Sequence, residues 1–346
     1  MVKLRHMTLI VALLLMLSGC EQSSGIFNPK GIIAAKEKAL FIEAVSLMLI
    51  VVIPVIMMSF LFAWKYRASN TKAKYRPNWS HSLLLECIVW GVSIAVIAVL
   101  GPMAWITAHR LDPYRPLNTT QEPLKVQVIA LNWKWLFIYP KQNIATVNDL
   151  TIPVHRPVLF LVTSDAPMNS FAIPQLGSQI YAMSGVQTKL HLIGTEIGSY
   201  RGLSTNFSGD GFADMNFKAH VVSQDDFDAW VKKVQATPDK LTMTVFTALE
   251  KPSIRDDIHY YSSVQGGIYG YSIMQYMGPM NNPKHNGIFT MNMDMDEMGM
   301  DRRHMDMGMN RRHKNTYRHH MAMGDEHRPS GYQPIRHNAQ ENKHAT

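Results

Sequence analysis

Lys125-Val-Gln-Val-Ile-Ala-Leu131 alternates in part with a period of two, and Pro157-Val-Leu-Phe-Leu-Val-Thr163 is a continuous apolar run closed by turn residues. Lys189-Leu-His-Leu-Ile193 and Asn216-Phe-Lys-Ala-His-Val-Val222 have the same texture, and clusters of Gly, Pro, Asn and Ser separate the four. β-Branched and aromatic residues favour a pleated, partly buried backbone, while the separators favour turns. Several short strands punctuated in this way between Leu124 and Val222 predict a β-sandwich or barrel of about 100 residues.

Downstream of these strands, Asp225 and Asp226 precede Phe227, Trp230, Val231 and Val234, a helical spacing, so residues 224–250 are expected to be helical. Tyr260, Tyr261, Tyr269, Tyr271 and Tyr276 follow, and the segment 223–285 is expected to be a helical, aromatic-rich extension that docks on partner subunits. Residues 286–346 have no periodicity, carry ten methionines and seven histidines, and are expected to be a disordered tail. Thioethers and imidazoles suit copper(I), so this tail leaves open a copper-handling membrane lipoprotein as an alternative to a neutral low-complexity extension.

Upstream, Ala39–Trp64 and Leu83–Ala108 are apolar segments of 26 residues each, longer than the roughly 20 that a helix needs to cross a bilayer. They predict transmembrane helices at 39–64 and 83–108, with tilt to spare. Of the formal charge of +8, five positive charges (Lys65, Arg67, Lys72, Lys74 and Arg76) lie together in the connecting loop 65–82. Positive charge in that place reads as membrane topology and argues against nucleic acid.

Lys3, Arg5 and His6, then the short apolar stretch Thr8–Leu17, then Leu17-Ser-Gly-Cys20 have the three parts of an export signal. The tetrapeptide looks like a lipobox, so 1–19 is expected to be a lipoprotein signal peptide, Cys20 the lipid attachment site, and 20–38 a periplasmic segment. An exported Cys20 and a positive loop 65–82 give the same orientation. The loop is cytoplasmic, and everything after His109 is periplasmic. Glu86 sits about one turn into the second helix. It reads either as a carboxylate stabilised by a helix N-terminus or as a proton-handling group, since carboxylates in membrane segments are costly.

Asn132-Trp-Lys-Trp-Leu-Phe-Ile-Tyr-Pro140, Met168-Asn-Ser-Phe-Ala-Ile-Pro174, Gly177-Ser-Gln, Tyr181-Ala-Met and Gly198-Ser-Tyr-Arg-Gly202 occur in an order that resembles subunit II of the haem–copper oxidases. Phe62-Ala-Trp-Lys-Tyr-Arg67 and Pro77-Asn-Trp-Ser-His81 extend the resemblance into the hairpin, so that it covers roughly residues 20–285. The resemblance implies a two-helix transmembrane hairpin, then an all-β cupredoxin-like sandwich over 109–222 with a C-terminal helical extension.

Cytochrome c oxidases of this family hold a dinuclear copper centre through two bridging cysteines, two histidines, a methionine and a backbone carbonyl. Here the matching side-chain positions are Asn169, Ser204, Ser208 and Phe212, with Asn206 at the carbonyl-donating position, and of the side-chain ligands only Met215 is retained. A serine hydroxyl stays protonated and cannot bridge coppers as a thiolate does. The pattern therefore resembles the quinol-oxidising branch, of the cytochrome bo type. That resemblance implies no catalytic residue, metal or cofactor in this chain, with haems and copper B in a catalytic subunit I that oxidises ubiquinol within the inner membrane. It also implies that Glu86 stands at the mouth of a proton channel. Trp133 and Trp135, without a copper to serve, are expected to be packing residues.

Overall fold

A computed structural model describes residues 25–74, 78–117 and 119–277. The expected signal peptide, Cys20 and the Met/His-rich tail lie outside the described residues.

Two long helices come first, α1 (Ile32–Lys65) and α2 (Leu83–Arg110). Pro54 and Pro102 lie inside them without ending them. Almost every side chain of their apolar stretches is exposed, which is stable only in lipid. Helix α1 begins at Ile32, ahead of the apolar run, because its first turns are fixed to the sandwich. Gly31 bridges Gly194, Ile33 and Ala34 are buried, and the Ser178 hydroxyl donates to the Glu37 carboxylate. Gly31 must be glycine here, since a Cβ would lie 2.2 Å from the Leu176 carbonyl oxygen.

The sandwich contains β1 (Leu124–Leu131), β2 (Lys134–Tyr139), β3 (Ile144–Val147), β4 (Asp149–Pro153), β5 (Val158–Ser164), β6 (Asn169–Ile173), β7 (Gly177–Ala182), β8 (Thr188–Leu192), β9 (Gly198–Ser204) and β10 (Asn216–Val222). A further strand, β11 (His259–Tyr261), comes from the extension. One sheet has the order β11-β3-β2-β1-β5-β8 and the other β4-β10-β9-β6-β7. Strand β1 runs antiparallel to β2 and parallel to β5, with Val126 opposite Phe160 and Val128 opposite Val162.

The incomplete alternation of β1 now has a cause. Val126, Val128 and Ala130 face the space between the sheets, while Ile129 and Leu131 face a second core formed with the extension. A sheet covered on both faces needs apolar residues at consecutive positions. The centre of the first core is aromatic. The Phe171 ring stacks on Phe217 (5.3 Å between centroids, 5° between planes), and Trp135, Phe137 and Phe160 surround Phe171 at 5.2–6.2 Å.

The extension is helical in two pieces, α3 (Gln224–Gln235) and α4 (Met243–Leu249), and then forms β11 and α5 (Ile268–Met274). Ser223 caps α3 by accepting from the Asp226 N–H at 3.1 Å, and Phe227, Val231 and Val234 are buried. The tyrosines expected to meet partner subunits also make contacts within the chain, although Tyr276 stays about half-exposed. Tyr261 pairs with Ala145 through β11, Tyr269 is buried, and the Tyr260 and Tyr276 hydroxyls donate to Asp149 and Asp165 at 3.0 and 2.8 Å. Burial beside Asp149 pushes the Tyr260 hydroxyl up to about 12, so it stays protonated and donating.

Lys134, nearly buried in β2, pairs with Asp256 at 2.9 Å and donates to the Lys251 carbonyl at 3.1 Å. Burial works to raise the Asp256 carboxyl, but the hydrogen bond and charge of Lys134, with Ser253 and His259, hold it below the usual carboxylate range. A buried ammonium is costly without such a partner, so this contact fixes where the 250–257 loop crosses the sheet.

Candidate functional site

The copper-ligand positions converge at one end of the five-stranded sheet. Strands β6 and β9 are neighbours, with Phe171 opposite Ser204, so Asn169 and Ser204 lie close together. Both are buried, as is Met215, just before β10. The remaining positions, Asn206, Ser208 and Phe212, occupy the loop from β9 to β10, which the structure therefore brings beside the same pair.

These residues satisfy one another. The Ser204 Oγ lies 3.1 Å from Asn169 Oδ1 and 3.3 Å from the Asn206 carbonyl oxygen, and it accepts from the Ser170 N–H at 3.4 Å. Asn169 Nδ2 donates to the Pro167 carbonyl at 2.7 Å, and Asn206 Nδ2 donates to the Met168 carbonyl at 2.8 Å. The Phe212 ring packs edge-on against Phe207, 5.5 Å between centroids. Ser208 Oγ is enclosed without a hydrogen-bond partner among the described residues. The set thus offers two neutral hydroxyls, an amide already engaged, a phenyl ring and one thioether. It does not fit a dinuclear copper centre, which requires bridging thiolates and imidazoles. Among the described residues no group of three or more His, Cys, Asp or Glu side chains is placed to hold a metal.

Trp133 clamps this loop, which the residue pattern alone did not reveal. It adopts a positive φ of 64° in the tight β1–β2 turn, and its Nε1 donates to the Ser208 carbonyl at 2.9 Å. Its ring lies flat over Gly211, where a Cβ would come within 2.4 Å of it. The pair Gly209 and Gly211 in the sequence is the signal for this close approach, and Gly209 also takes a positive φ of 105°. Trp135 is a core residue, as expected of a packing role, and touches Phe171 and Phe217.

Glu86 is elsewhere. It lies in the first turn of α2, its N–H donates to the Ser82 carbonyl at 3.0 Å, and its Oε1 is 3.2 Å from His81 Nε2. Its carboxylate is about half-exposed, on the end of the helix where the macrodipole favours an anion. From Glu86 to Arg110, at the far end of α2, the helix rises about 36 Å at ~1.5 Å per residue. Glu86 and the former copper site are therefore separate stations with no shared contact. The neighbouring Cys87 is a free, exposed thiol.

Comparison with known proteins agrees with this division. Residues 140–223 match the family model for the periplasmic domain of cytochrome c oxidase subunit II, and residues 235–280 match that for the COX aromatic rich motif. The cytochrome bo(3) ubiquinol oxidase subunit 2 of Pseudomonas aeruginosa is 51% identical over 262 residues, which cover 76% of this chain and 78% of that one. The ubiquinol oxidase subunit 2 of Acetobacter aceti is 46% identical over 275 residues, 79% and 89% of the two chains. The quinol oxidase subunit 2 of Bacillus spizizenii is 35% identical over 260 residues, 74% and 81%. Identity at this level over most of both chains, on a sandwich whose copper ligands are replaced, shows that the chain belongs to the subunit 2 family of cytochrome bo(3)-type ubiquinol oxidases.

Proposed function

We propose that the chain is the non-redox subunit of a proton-translocating ubiquinol oxidase in a bacterial inner membrane. It supports assembly and stability of a catalytic subunit I, which carries the haems and copper B, and it supplies a proton-entry carboxylate at Glu86. The observation that carries this reading is the self-satisfied cluster of Asn169, Ser204 and Asn206 on an otherwise retained cupredoxin-like frame. A donor that is itself a membrane lipid needs no copper relay in the periplasm, so the frame serves for what it contacts.

Glu86 suits proton collection because it is half-exposed at the cytoplasmic end of a membrane helix and lies beside a second titratable group, His81. Replacing Glu86 by Ala in the assembled oxidase is expected to lower quinol-driven oxygen reduction and proton uptake together by about tenfold. That is below the roughly hundredfold that a positioned proton-transfer group contributes, because water still reaches the same end of the helix. Haem absorbance should be unchanged. Full turnover with unchanged proton uptake would remove the role.

The lipid attachment at Cys20 rests on the Leu17-Ser-Gly-Cys20 tetrapeptide behind a short apolar stretch. The mature chain is expected to begin at Cys20 and to carry the added mass of its acyl groups. A Cys20→Ser variant should lose that mass yet remain in the membrane, since α1 and α2 each suffice to hold it. An intact-mass spectrum of the parent showing an unmodified Cys20 contradicts the assignment.

A further inference from the structure

Where the periplasmic ends of α1 and α2 meet the sandwich, the structure has a cleft of about 390 Å³. Lys36, Arg110 and Arg115 line it, with Asp112 as the only carboxylate among the lining residues, and Ile32 and Leu117 contribute an apolar wall. We propose that this cleft binds the phosphate of an anionic phospholipid from the periplasmic leaflet, with the start of its acyl chains against the apolar wall. The inference rests on the placement of the two helices in the membrane and is independent of the role given to Glu86.

Depth is the first argument. Lys36 lies three residues before the apolar run that begins at Ala39, and Arg110 lies two residues beyond the run that ends at Ala108. At ~1.5 Å per residue both cations stand about 3–5 Å outside the hydrocarbon boundary. The headgroup layer on each side of a bilayer is about 5–7 Å deep, so the cations sit at the level of lipid phosphates.

Charge is the second. Among the described residues none of the three cations has an ion-pair partner. Arg115 makes one long hydrogen bond, 3.5 Å to the His109 carbonyl. Asp112 accepts from the Tyr114 N–H at 2.9 Å, and the nearby Glu37 carboxylate is turned to the Ser178 hydroxyl. Three cations and one acid around a single cleft leave an excess of positive charge. A phosphodiester oxygen is the acceptor that suits it, and arginine can take two of these oxygens at once.

The apolar wall is the third. A free phosphate ion would satisfy the cations and leave Ile32 and Leu117 facing water. A phospholipid satisfies both.

The test uses the whole oxidase complex purified in mild detergent, with bound lipid counted by mass spectrometry after extraction. The triple variant Lys36→Gln, Arg110→Gln, Arg115→Gln is expected to retain one phosphatidylglycerol fewer per complex than the parent. Phosphatidylglycerol added back to delipidated complex should bind it at least tenfold more weakly. Inorganic phosphate at equal concentration should not displace the lipid from the parent. Equal retention in the two complexes overturns the proposal, as does displacement by inorganic phosphate, which would mark a simple anion site. Density for a neighbouring subunit's side chains filling the cleft would overturn it too. If the triple variant fails to assemble, Arg115→Gln alone decides, because its side chain is held by only the one long bond. Several-fold weaker add-back supports the proposal, and unchanged add-back ends it.

Discussion

Replacing Phe171 by Ala is expected to lower the unfolding temperature of the periplasmic domain by about 10 °C. Phe171 is fully buried and touches four other aromatic rings, Trp135, Phe137, Phe160 and Phe217, so it joins both sheets at their centre. Truncating such a ring removes its transfer energy and leaves a cavity that stiff neighbours cannot fill, a loss of about 3–5 kcal/mol. Against a domain stability of about 5–15 kcal/mol that is about a fifth or more of the total, and each kcal/mol shifts the midpoint by about 2–4 °C in a domain of this size. Tryptophan fluorescence of the detergent-solubilised chain reports it, since Trp135 is in edge contact with the deleted ring. A midpoint within about 2 °C of the parent would mean that the core relaxes into the gap, contrary to the tight packing expected of such interiors.

The second large effect is a gain. The four substitutions Asn169→His, Ser204→Cys, Ser208→Cys and Phe212→His, added to the resident Met215 and the Asn206 carbonyl, are expected to give a domain that binds two coppers. The parent domain should bind none at that place. The backbone needed for such a site is present. Asn169 and Ser204 are on adjacent strands, Ser204 Oγ is already 3.3 Å from the Asn206 carbonyl, and Trp133 pins the loop through Ser208. What is missing is side-chain chemistry, because a neutral hydroxyl neither bridges nor delocalises charge between metals. Copper content and thiolate-to-copper absorption, measured with residues 286–346 removed, provide the readout. The Ser204→Cys change alone should give no such absorption, and a colourless fourfold variant would show that the loop geometry has drifted as well as the ligands.

These two predictions mark what was legible in the residues. The membrane helices and strands β1, β5, β8 and β10 could be read because each is decided by its own apolar pattern. The loss of the copper site could be read because it depends on residue identity at aligned positions. The other features depend on partners far along the chain. Lys134 in a strand looks like a solvent-facing residue until Asp256 arrives to pair with it. Trp133 looks like a core aromatic, yet its role is to hold a loop 75 residues away. The contacts of the tyrosines after residue 259 could not be read either, because Tyr260 and Tyr276 bond to Asp149 and Asp165, each 111 residues away. The start of α1 could not be found from hydropathy because Lys36-Glu37-Lys38 interrupts the apolar run, and the first turn before it is held by contact with the sandwich rather than by lipid. Glu86 could be located, but its chemistry depends on subunits that this chain does not contain.

Strand β11 has a consequence in time. It closes the edge of the six-stranded sheet by pairing with β3, Tyr261 against Ala145, and so joins residues 116 apart. At about 5–20 residues per second a ribosome takes roughly 6–23 s to make that interval. For that period any β3 that has left the ribosome has no last strand to pair with. An open edge is a template for joining other chains. The chain would therefore be at its most vulnerable during biogenesis, and export before folding, or a chaperone that holds the segment, would guard the edge until the aromatic-rich extension arrives to cover it.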